Sequence, residues 1–301
     1  MNARNISATL AGKVSLGGEI SVHRLGFGAM RLTGDGIWGP PKNRSEAIAV
    51  LRRAAELDVN FIDTADSYGP DASEELIAEA LFPYPKDLVI ATKGGWNRPG
   101  PNQWTHNATP AHLREAVEGS LKRLRLERID LYQLHMPDPL VSIEDSVGTL
   151  AQLKNEGKIR LIGLSNVTQE HIERARRIVP IVSVQNRYSF SDREWDYVVD
   201  YCERNGIAFI PFFPLAAGRV AGQILEQIAR AHQATPHQVA SVWLLKRSRV
   251  ILPIPGTSSV KHLEENVAAA SLQLSDEEFQ KLSGVVASQG FRDLVDQLRR
   301  S

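Results

Sequence analysis

Four side chains that can exchange protons or carry charge stand at or near the ends of short apolar segments. Asp63 and Tyr68 are five residues apart, Lys93 ends the next apolar segment, and His135 follows the one after that. A phenol has a pKa of about 10 and is a poor acid at neutral pH, but a nearby ammonium favours the phenolate and lowers that pKa. An Asp63–Lys93 pair would hold the ammonium in place, and His135 could orient an oxygen or share its proton. These residue types predict a site that protonates an oxygen as it gains negative charge.

Such a site reduces a carbonyl group only if a hydride donor lies opposite the proton donor. No side chain supplies a hydride, so the residues imply a nicotinamide cofactor. A second interpretation stays open, in which Lys93 forms a Schiff base, as in a barrel aldolase, with Tyr68 as its acid–base partner. Taken singly, Lys93 and Asp63 are also compatible with a structural salt bridge, and His135 with a structural histidine.

The elements that must position these residues are indicated by eight short apolar runs that alternate with longer amphipathic stretches. Most of the runs are continuous, as is typical of parallel strands buried on both faces. The alternation and the eight repeats predict an α/β fold, a (β/α)8 barrel, with an open doubly wound sheet as the alternative. A barrel gathers the C-terminal ends of its strands on one face, so we expect the four residues to converge there. The runs are Leu25–Met30, Phe61–Asp63, Leu88–Lys93, Ile129–Leu134, Ile159–Leu164, Ile181–Gln185, Ile207–Pro211 and Val250–Ile254.

Helix starts are indicated by residues that can cap the free N–H groups of a first turn. Two helical pieces, 222–233 and 236–247, are predicted in the seventh connection, and Ser275-x-x-Glu278 caps a C-terminal helix that leads into the tail 289–301. The other predicted caps are Ser45, Ser73, Thr109, Ser142, Thr168, Ser191 and Thr235.

A small hairpin is predicted before the first strand. Val14–Leu16 and Glu19–Val22 flank the pair Gly17-Gly18, which suits a tight turn. Such a hairpin could close the bottom of the barrel. The predicted fold is therefore a (β/α)8 barrel with an N-terminal β-hairpin and a C-terminal helical tail.

The composition narrows the function classes. The chain has 301 residues, enough for one barrel domain over 1–301, and equal numbers of basic and acidic residues, so the overall basic excess of a nucleic-acid binder is missing. The single cysteine, Cys202, excludes an internal disulfide and a Cys-rich zinc site and fits a reducing cytoplasm. The first residues lack an apolar signal core, and no stretch approaches the length of a membrane span. We expect a cytoplasmic enzyme or a soluble binding protein, without a metal; the sequence does not reveal the oligomeric state.

The sequence resembles the aldo-keto reductases over essentially the whole chain. Asp63-Thr64-Ala65-x-x-Tyr68-Gly69, Lys93 and Leu134-His135 are similar to the catalytic tetrad of that family. The resemblance implies that Tyr68 is the general acid, that Lys93 and Asp63 tune its acidity, and that His135 orients the substrate. It implies reduction of an aldehyde or ketone to an alcohol with NADPH. The alternative within the same fold is a cofactor-binding regulatory or sensor protein that turns over slowly.

The resemblance also implies a nicotinamide site. Gly163-Leu164-Ser165-Asn166 and Gln185 are similar to the segments that hold the nicotinamide carboxamide. Phe212-Phe213-Pro214-Leu215 stands where the family usually has Tyr-Ser-Pro-Leu. Phe212 can still stack on the nicotinamide ring, since stacking needs only an aromatic face, whereas Phe213 has no hydroxyl for a phosphate.

Ile254–Asn266 is similar to the site for the adenosine 2′-phosphate, at a helix N-terminus that suits an anion. Gly256 stands where many members have Lys, and His262 where many have Arg. Fewer fixed cations imply NADPH as the cofactor with weaker discrimination against NADH. The full set of expected cofactor contacts is Gly28, Ala29, Met30, Asp63, Ser165, Asn166, Gln185, Phe212, Phe213, Pro214, Leu215, Gly256, Thr257, Ser258, Ser259, His262, Glu265 and Asn266.

Four stretches resemble the bacterial branch of the family that includes pyridoxal reductases, which implies pyridoxal as one candidate substrate. They are Phe27–Leu32, Gly39-Pro40-Pro41, Pro211–Leu215 and Ile254–Ser259. Three tryptophans fall in the loops after the first and third strands, where aromatic walls would suit a flat aromatic or hydrophobic aldehyde. Packing within the loops is the alternative role for each of them. These residues are Trp38, Trp96 and Trp104.

Overall fold

The computed structural model describes residues 6–190, 192–213 and 222–284. Its central sheet has seven parallel strands in the order β11-β10-β9-β8-β5-β4-β3. An N-terminal hairpin (β1 and β2) and a second hairpin (β6 and β7) lie outside this sheet. The strands are β1 Lys13–Leu16, β2 Ile20–His23, β3 Phe27–Gly28, β4 Phe61–Asp63, β5 Val89–Gly94, β6 Trp96–Gly100, β7 Gln103–His106, β8 Ile129–Leu134, β9 Ile159–Ser165, β10 Ile181–Gln185 and β11 Ala208–Phe209.

The sheet closes into a barrel through the predicted eighth run. Phe209 donates its backbone N–H to Val250 O (2.9 Å), and Leu252 N–H donates to Phe209 O (2.8 Å). On the other side Gly26 N–H donates to Pro253 O (2.9 Å). The segment 250–253 therefore joins β11 to the start of β3, which completes the eight positions. The prediction of a (β/α)8 barrel is confirmed, although this last segment is bonded at too few positions to form a regular strand.

Helices follow the strands. Thr109, Ser142, Thr168 and Thr235 accept a hydrogen bond from the third residue of the helix that follows, as the sequence predicts. The described helices are α1 Arg44–Glu56, α2 Ala72–Leu81, α3 Pro110–Leu124, α4 Ile143–Asn155, α5 Gln169–Arg176, α6 Asp196–Asn205, α7 Gln223–Ala231, α8 Pro236–Arg247 and α9 Val260–Ala268. None of the helices within these ranges is long and apolar enough to cross a bilayer.

Two predicted caps are wrong. α1 begins earlier than expected, and the amide oxygen of Asn43 accepts from Glu46 N–H (3.0 Å), while the hydroxyl of Ser45 only donates to that same oxygen. Ser73 lies inside the first turn of α2, and its hydroxyl accepts from Thr64 in the interior (2.8 Å). The better-placed amide of Asn43 outweighs the capping preference of Ser45, and the tertiary contact with Thr64 outweighs that of Ser73. Ser191 lies outside the described residues.

The N-terminal hairpin closes one end of the barrel, as predicted. Val14, Leu16 and Val22 are buried in one cluster with inward-facing side chains of the barrel strands, among them Phe61. The loop, 17–19, is one residue longer than a two-glycine turn. Gly17 has φ +62°, and a Cβ there would lie 2.7 Å from Val182 Cγ1, so the hairpin reaches this depth only with glycine.

The C-terminal element starts as predicted. Glu278 N–H donates to Ser275 Oγ (3.2 Å), and Ser275 N–H donates to Glu278 Oε2 (2.8 Å), which is a capping box. The chain is helical from residue 276 to residue 284, where the described part ends. The tail 289–301 lies outside the described residues.

Candidate active site

The C-terminal ends of three neighbouring strands bring the candidate catalytic residues together. Asp63 ends β4, Lys93 lies near the end of β5, and His135 follows β8 directly. Tyr68 lies in the loop after β4, and its ring centre is 5.7 Å from that of His135, edge to face. All four side chains are buried, so the convergence that the sequence predicts is present in the fold.

Lys93 is at the centre of this group. Its ammonium donates to Asp63 Oδ1 (2.6 Å), to Thr64 O (2.7 Å) and to the hydroxyl oxygen of Tyr68 (3.4 Å). The Lys93 side chain has no solvent exposure, and that of Asp63 is 3% exposed. The three N–H bonds of the ammonium therefore all have acceptors, and one acceptor is the phenol.

Asp63 is held by donors from three strands. Besides Lys93, its second oxygen accepts from Gln185 Nε2 (2.8 Å) and from Gln133 Nε2 (3.2 Å). The side chains of both glutamines come from inside the barrel wall, on β10 and β8. Three donors hold this buried carboxylate in place, which in turn fixes the ammonium beside Tyr68.

The pKa of the Tyr68 phenol is not lowered overall, although the sequence predicts a lowering by the nearby ammonium. Burial raises the pKa of Tyr68; Lys93 lowers it, as predicted, but by less than burial raises it, so the net direction is upward. Burial alone would lower the pKa of Lys93, but Asp63 and Tyr68 together raise it. At neutral pH the resting site therefore holds a protonated phenol beside an ammonium.

His135 is neutral in this environment. Burial, with the positive charges of Lys93 and Arg98, holds the pKa of its imidazole well below the usual range. Ser67 Oγ and His135 Nδ1 lie 3.3 Å apart, a contact between the catalytic loop and the end of β8. A neutral imidazole fixed on one side can orient a carbonyl oxygen without adding a charge.

Tyr68, His135 and Asp63 line a cavity of about 360 Å³ at the C-terminal end of the barrel. Trp96 and Trp104 form one wall of it, with ring centres 5.8 Å apart, and each ring lies 6.4 Å from that of His135. They belong to the hairpin β6–β7, a stretch predicted as loop from the sequence. These two tryptophans are where the sequence places them, in a wall beside the candidate proton donor.

Trp38 does not line this cavity. It lies 5.7 Å from the guanidinium of Arg98, which stacks on Trp104 at 3.7 Å. The same guanidinium donates to Ser67 O (2.5 Å) and to Gly36 O (3.0 Å), so Arg98 ties the hairpin to the catalytic loop. The structure places Trp38 against Arg98 rather than in the cavity lining, which agrees with the alternative role of packing within the loops.

The residues expected at the nicotinamide line the same cavity as Tyr68. They include Ser165 and Asn166 at the end of β9, Gln185, and the ring of Phe212. Asn166 Nδ2 donates to His135 O (3.0 Å) and Ser165 Oγ (3.0 Å), which orients its amide. Gln185 gives its N–H to Asp63 and leaves its amide oxygen as an acceptor. A carboxamide needs such donors and acceptors, so this lining fits a nicotinamide.

A second cavity of about 660 Å³ adjoins the first, since Met30, Arg31 and Gly256 line both. Thr257 and Ser258 line it, as expected of an adenosine-phosphate site. The remaining expected contacts that line neither cavity are Ala29, Ser259, His262, Glu265 and Asn266. Gly28 and Phe213 line the first cavity, and Pro214 and Leu215 lie outside the described residues.

Several residues of the site were not predicted from the sequence. Gln133 and Ser67 hold Asp63 and His135, Arg98 fixes the tryptophan wall, and Arg31 and His237 line the first cavity. Gln133 carried a signal, because a glutamine inside an otherwise apolar strand must find a partner. The others lie in loops, in the hairpin β6–β7 or at helix surfaces, where polar residues are expected.

Comparison with known proteins identifies relatives along nearly the whole chain. The family model described as "Aldo/keto reductase family" matches residues 24–287. An uncharacterised oxidoreductase of Schizosaccharomyces pombe is 52% identical over 279 residues, which cover 92% of this chain and 90% of that protein. Pyridoxine 4-dehydrogenase of Escherichia coli is 46% identical over 276 residues, 89% of this chain and 96% of that protein.

Solved structures agree with the fold. The crystal structure of an aldo-keto reductase from Klebsiella pneumoniae in complex with NADPH superposes with a TM-score of 0.78 at 26% identity. The match covers 91% of this chain and 94% of that one.

Proposed function

The chain belongs to the aldo/keto reductase family, and on that premise we propose that it reduces an aldehyde or ketone to an alcohol, with NADPH as hydride donor and Tyr68 as proton donor. One observation carries the proposal. The phenol of Tyr68 lines a cavity that is also lined by carboxamide-binding groups, and the buried ammonium of Lys93 lies 3.4 Å from the phenolic oxygen. The proton donor and the groups suited to the cofactor thus share one cavity, and the charge stabiliser is buried next to the proton donor.

The cofactor would be held by Ser165, Asn166 and Gln185 at its carboxamide and by the ring of Phe212. NADPH, when bound, supplies the hydride that the carbonyl carbon takes up. The proposal is supported by the fit of this lining to a carboxamide and by the Klebsiella relative in complex with NADPH. Because residue 256 is glycine and residue 262 is histidine, few fixed cations are available to the 2′-phosphate of NADPH. We therefore expect NADH to bind more weakly than NADPH but not to be excluded.

The protein's own residues move the proton. As the carbonyl carbon gains the hydride, the electron pair of the C=O π bond moves to oxygen, and that oxygen takes the proton of the Tyr68 hydroxyl. The resulting phenolate is neutralised by Lys93, and the phenol regains a proton from solvent. Neutral His135 orients the carbonyl oxygen. The balance is carbonyl, NADPH and H⁺ to alcohol and NADP⁺.

The Schiff-base alternative for Lys93 has little support. A Schiff base needs a neutral amine with a free electron pair. The pKa of Lys93 is raised, chiefly by Asp63 and Tyr68 acting against burial, and its three N–H bonds already have acceptors. An ammonium in this position suits the phenol better than it suits nucleophilic attack.

For the substrate we propose a flat aromatic aldehyde, with pyridoxal as the first candidate. Trp96 and Trp104 offer ring faces and edges beside His135, which suits a planar ring. The relative at 46% identity is named pyridoxine 4-dehydrogenase, and a dehydrogenase and a reductase catalyse opposite directions of one reaction.

The test is Tyr68→Phe, which removes the hydroxyl and keeps the ring. We expect turnover of pyridoxal to fall by about 10²–10⁴-fold, because general acid catalysis contributes that much. The dissociation constant for NADPH, followed by nicotinamide fluorescence, should stay near the wild-type value. Tyr84→Phe is a matched control, since its hydroxyl donates to Leu124 O (2.7 Å) away from the cavity.

Wild-type reduction rates in Tyr68→Phe would show that another group donates the proton. Failure of the wild-type protein to bind NADPH or NADH would remove the basis of the proposal. NADPH binding without turnover of pyridoxal or a simple aromatic aldehyde would favour the regulatory alternative.

A further inference from the structure

The hydroxyl of Ser67 contacts the imidazole of His135. Ser67 directly precedes Tyr68 in the loop after β4, and its Oγ lies 3.3 Å from Nδ1 of His135. The two residues are only 2% and 8% exposed. Arg98 holds the loop in this place, because its guanidinium donates to the backbone oxygen of Ser67 (2.5 Å). The contact therefore joins two buried polar atoms across a loop that is tied down.

The direction of this hydrogen bond decides which nitrogen of the imidazole carries a proton. A serine hydroxyl has one proton to donate, and a neutral imidazole has one donor and one acceptor nitrogen. Within the part of the chain that the structure describes, Nδ1 of His135 is the only hydrogen-bond partner of Ser67 Oγ. If Nδ1 were the donor, the buried hydroxyl proton would have no acceptor there, which is unfavourable. The hydroxyl therefore donates, and Nδ1 is the unprotonated nitrogen.

The two cations near the ring do not donate to this nitrogen. The ammonium of Lys93 already has three acceptors, and the guanidinium of Arg98 donates to three backbone carbonyl oxygens. Burial, together with these two positive charges, holds the pKa of the imidazole well below its usual range, so His135 is neutral at neutral pH. A neutral imidazole whose Nδ1 accepts a hydrogen bond carries its proton on Nε2.

Nε2 of His135 is open to the cavity that the ring lines. Three aromatic rings surround the imidazole edge to face, those of Tyr68 at 5.7 Å and of Trp96 and Trp104 at 6.4 Å each. None of the residues 6–190, 192–213 and 222–284 forms a hydrogen bond with Nε2. The proton on this nitrogen is therefore free to be donated to a ligand in the cavity.

We infer that Ser67 is a positioning residue that fixes His135 in the tautomer with its proton on Nε2, where it donates to the carbonyl oxygen of the substrate. This inference rests on the proposed function, because it takes a carbonyl compound as the ligand of the cavity. In the opposite tautomer the lone pair of Nε2 would face that oxygen and repel it. Two adjacent residues of one loop thus prepare both hydrogen bonds to the oxygen: Tyr68 gives its own proton, and Ser67 directs the proton of His135.

The experiment measures the tautomer by NMR on protein labelled with ¹⁵N-histidine, at neutral pH and without substrate. A protonated and an unprotonated imidazole nitrogen differ strongly in ¹⁵N chemical shift, and the signals of His135 are those missing from His135→Gln. We expect Nε2 to be protonated and Nδ1 unprotonated in the wild type. An Nδ1–H tautomer in the wild type would overturn the inference, whether or not any variant folds.

Two substitutions of Ser67 separate the hydroxyl from the loop. Ser67→Ala keeps the backbone oxygen that Arg98 binds but removes the donor, so both tautomers should be populated. We expect its kcat/KM for pyridoxal to fall about 10-fold, less than the loss of about 10²–10³-fold when a whole donor is removed. Ser67→Thr keeps a hydroxyl and should retain the wild-type tautomer and most of the activity. The dissociation constant for NADPH should change less than about 2-fold in both variants.

Ser146→Ala is the matched control. The hydroxyl of Ser146 is also buried, but it donates to Ala108 O (2.9 Å) and does not line the cavity, so neither the tautomer nor kcat/KM should change. A Ser67→Ala protein with the wild-type tautomer, or an equal loss of kcat/KM in Ser146→Ala, would overturn the inference. A wild type that has the Nε2–H tautomer but reduces no carbonyl would instead refute the proposed function, so the two failures are distinguishable.

Discussion

Replacing Asp63 by Asn tests whether the carboxylate holds the charged centre of the site. Asn keeps the size and shape of the side chain but removes the negative charge beside Lys93, 2.6 Å away. It also introduces an N–H₂ group among three donors, so at least one of Lys93, Gln133 and Gln185 loses its acceptor. The variant therefore leaves a buried ammonium without a counter-charge.

The magnitude follows from the burial of the pair. Removing one partner of a buried ion pair costs about 3–5 kcal/mol, because the other charge is left desolvated. Lys93→Met removes the opposite charge and should cost a similar amount. The double variant Asp63→Asn, Lys93→Met has no unpaired charge, so it should be more stable than the sum of the two single losses predicts, by about 3 kcal/mol.

The assay is urea unfolding of the four proteins, with the free energy of unfolding extrapolated to water. Asp35→Asn serves as a control at an exposed pair, whose side chains are 79% and 84% accessible, and should cost less than about 1 kcal/mol. A loss below about 1 kcal/mol in Asp63→Asn, or additive losses in the double variant, would refute the assignment. All Lys93 and Asp63 variants should lose turnover, whatever their stability.

Two further predictions concern groups around the tetrad. Burial, with the nearby charge of Glu74, raises the pKa of Asp66 to about 8, and its Oδ1 has no hydrogen-bond partner among the described residues. Between about pH 4 and pH 8 the folded state keeps a proton on Asp66 that the unfolded state releases, so the stability of the wild type falls as pH rises. Asp66→Asn should therefore raise the melting temperature more at about pH 8.5 than at about pH 5. An equal gain at both pH values would contradict this prediction. Arg98→Met should raise KM for pyridoxal about 10-fold while NADPH affinity stays unchanged, because the wall formed with Trp104 loses its hydrogen bond to Ser67 O. An unchanged KM in steady-state kinetics would show that the two tryptophans keep their positions without Arg98.

The barrel itself could be predicted because eight short apolar runs alternate with amphipathic stretches, and the second to the sixth of these runs each end in or directly before a polar residue. The last run, Val250–Ile254, has the pattern of a strand but is bonded at only a few positions, and periodicity carries no information on such pairing. Caps next to proline were predicted well. Thr109 and Thr235 each precede a proline, which is favoured at the first position of a helix and disfavoured in its interior. Ser45 and Ser73 were not, because the neighbouring Asn43 caps the first of these helices and the hydroxyl of Ser73 pairs with Thr64 in the interior.

The candidate site was predictable where a charged residue lies in an apolar strand and must form an ion pair or hydrogen bonds when buried, as for Asp63 and Lys93. It was not predictable where a common surface residue acquires its role through the fold. Arg98 lies in the hairpin β6–β7, whose short strands contain Pro99 and only one large apolar residue each. The two cavities meet where Gly28 and Gly256 bring distant segments into contact, and a single sequence does not reveal that proximity.

The raised pKa of Tyr68 is compatible with its proposed role as an acid. A proton donor must keep its proton until the acceptor gains charge, and burial ensures that the phenol is intact at neutral pH. The ammonium of Lys93, 3.4 Å from the phenolic oxygen, interacts far more strongly with phenolate than with phenol. Its stabilisation therefore develops with the transition state rather than in the resting enzyme, which is the condition for it to accelerate the reaction. The burial that makes Tyr68 a weaker acid at rest also removes the water that would screen Lys93 from the phenolate, and Asp63 keeps the ammonium charged so that this attraction is available.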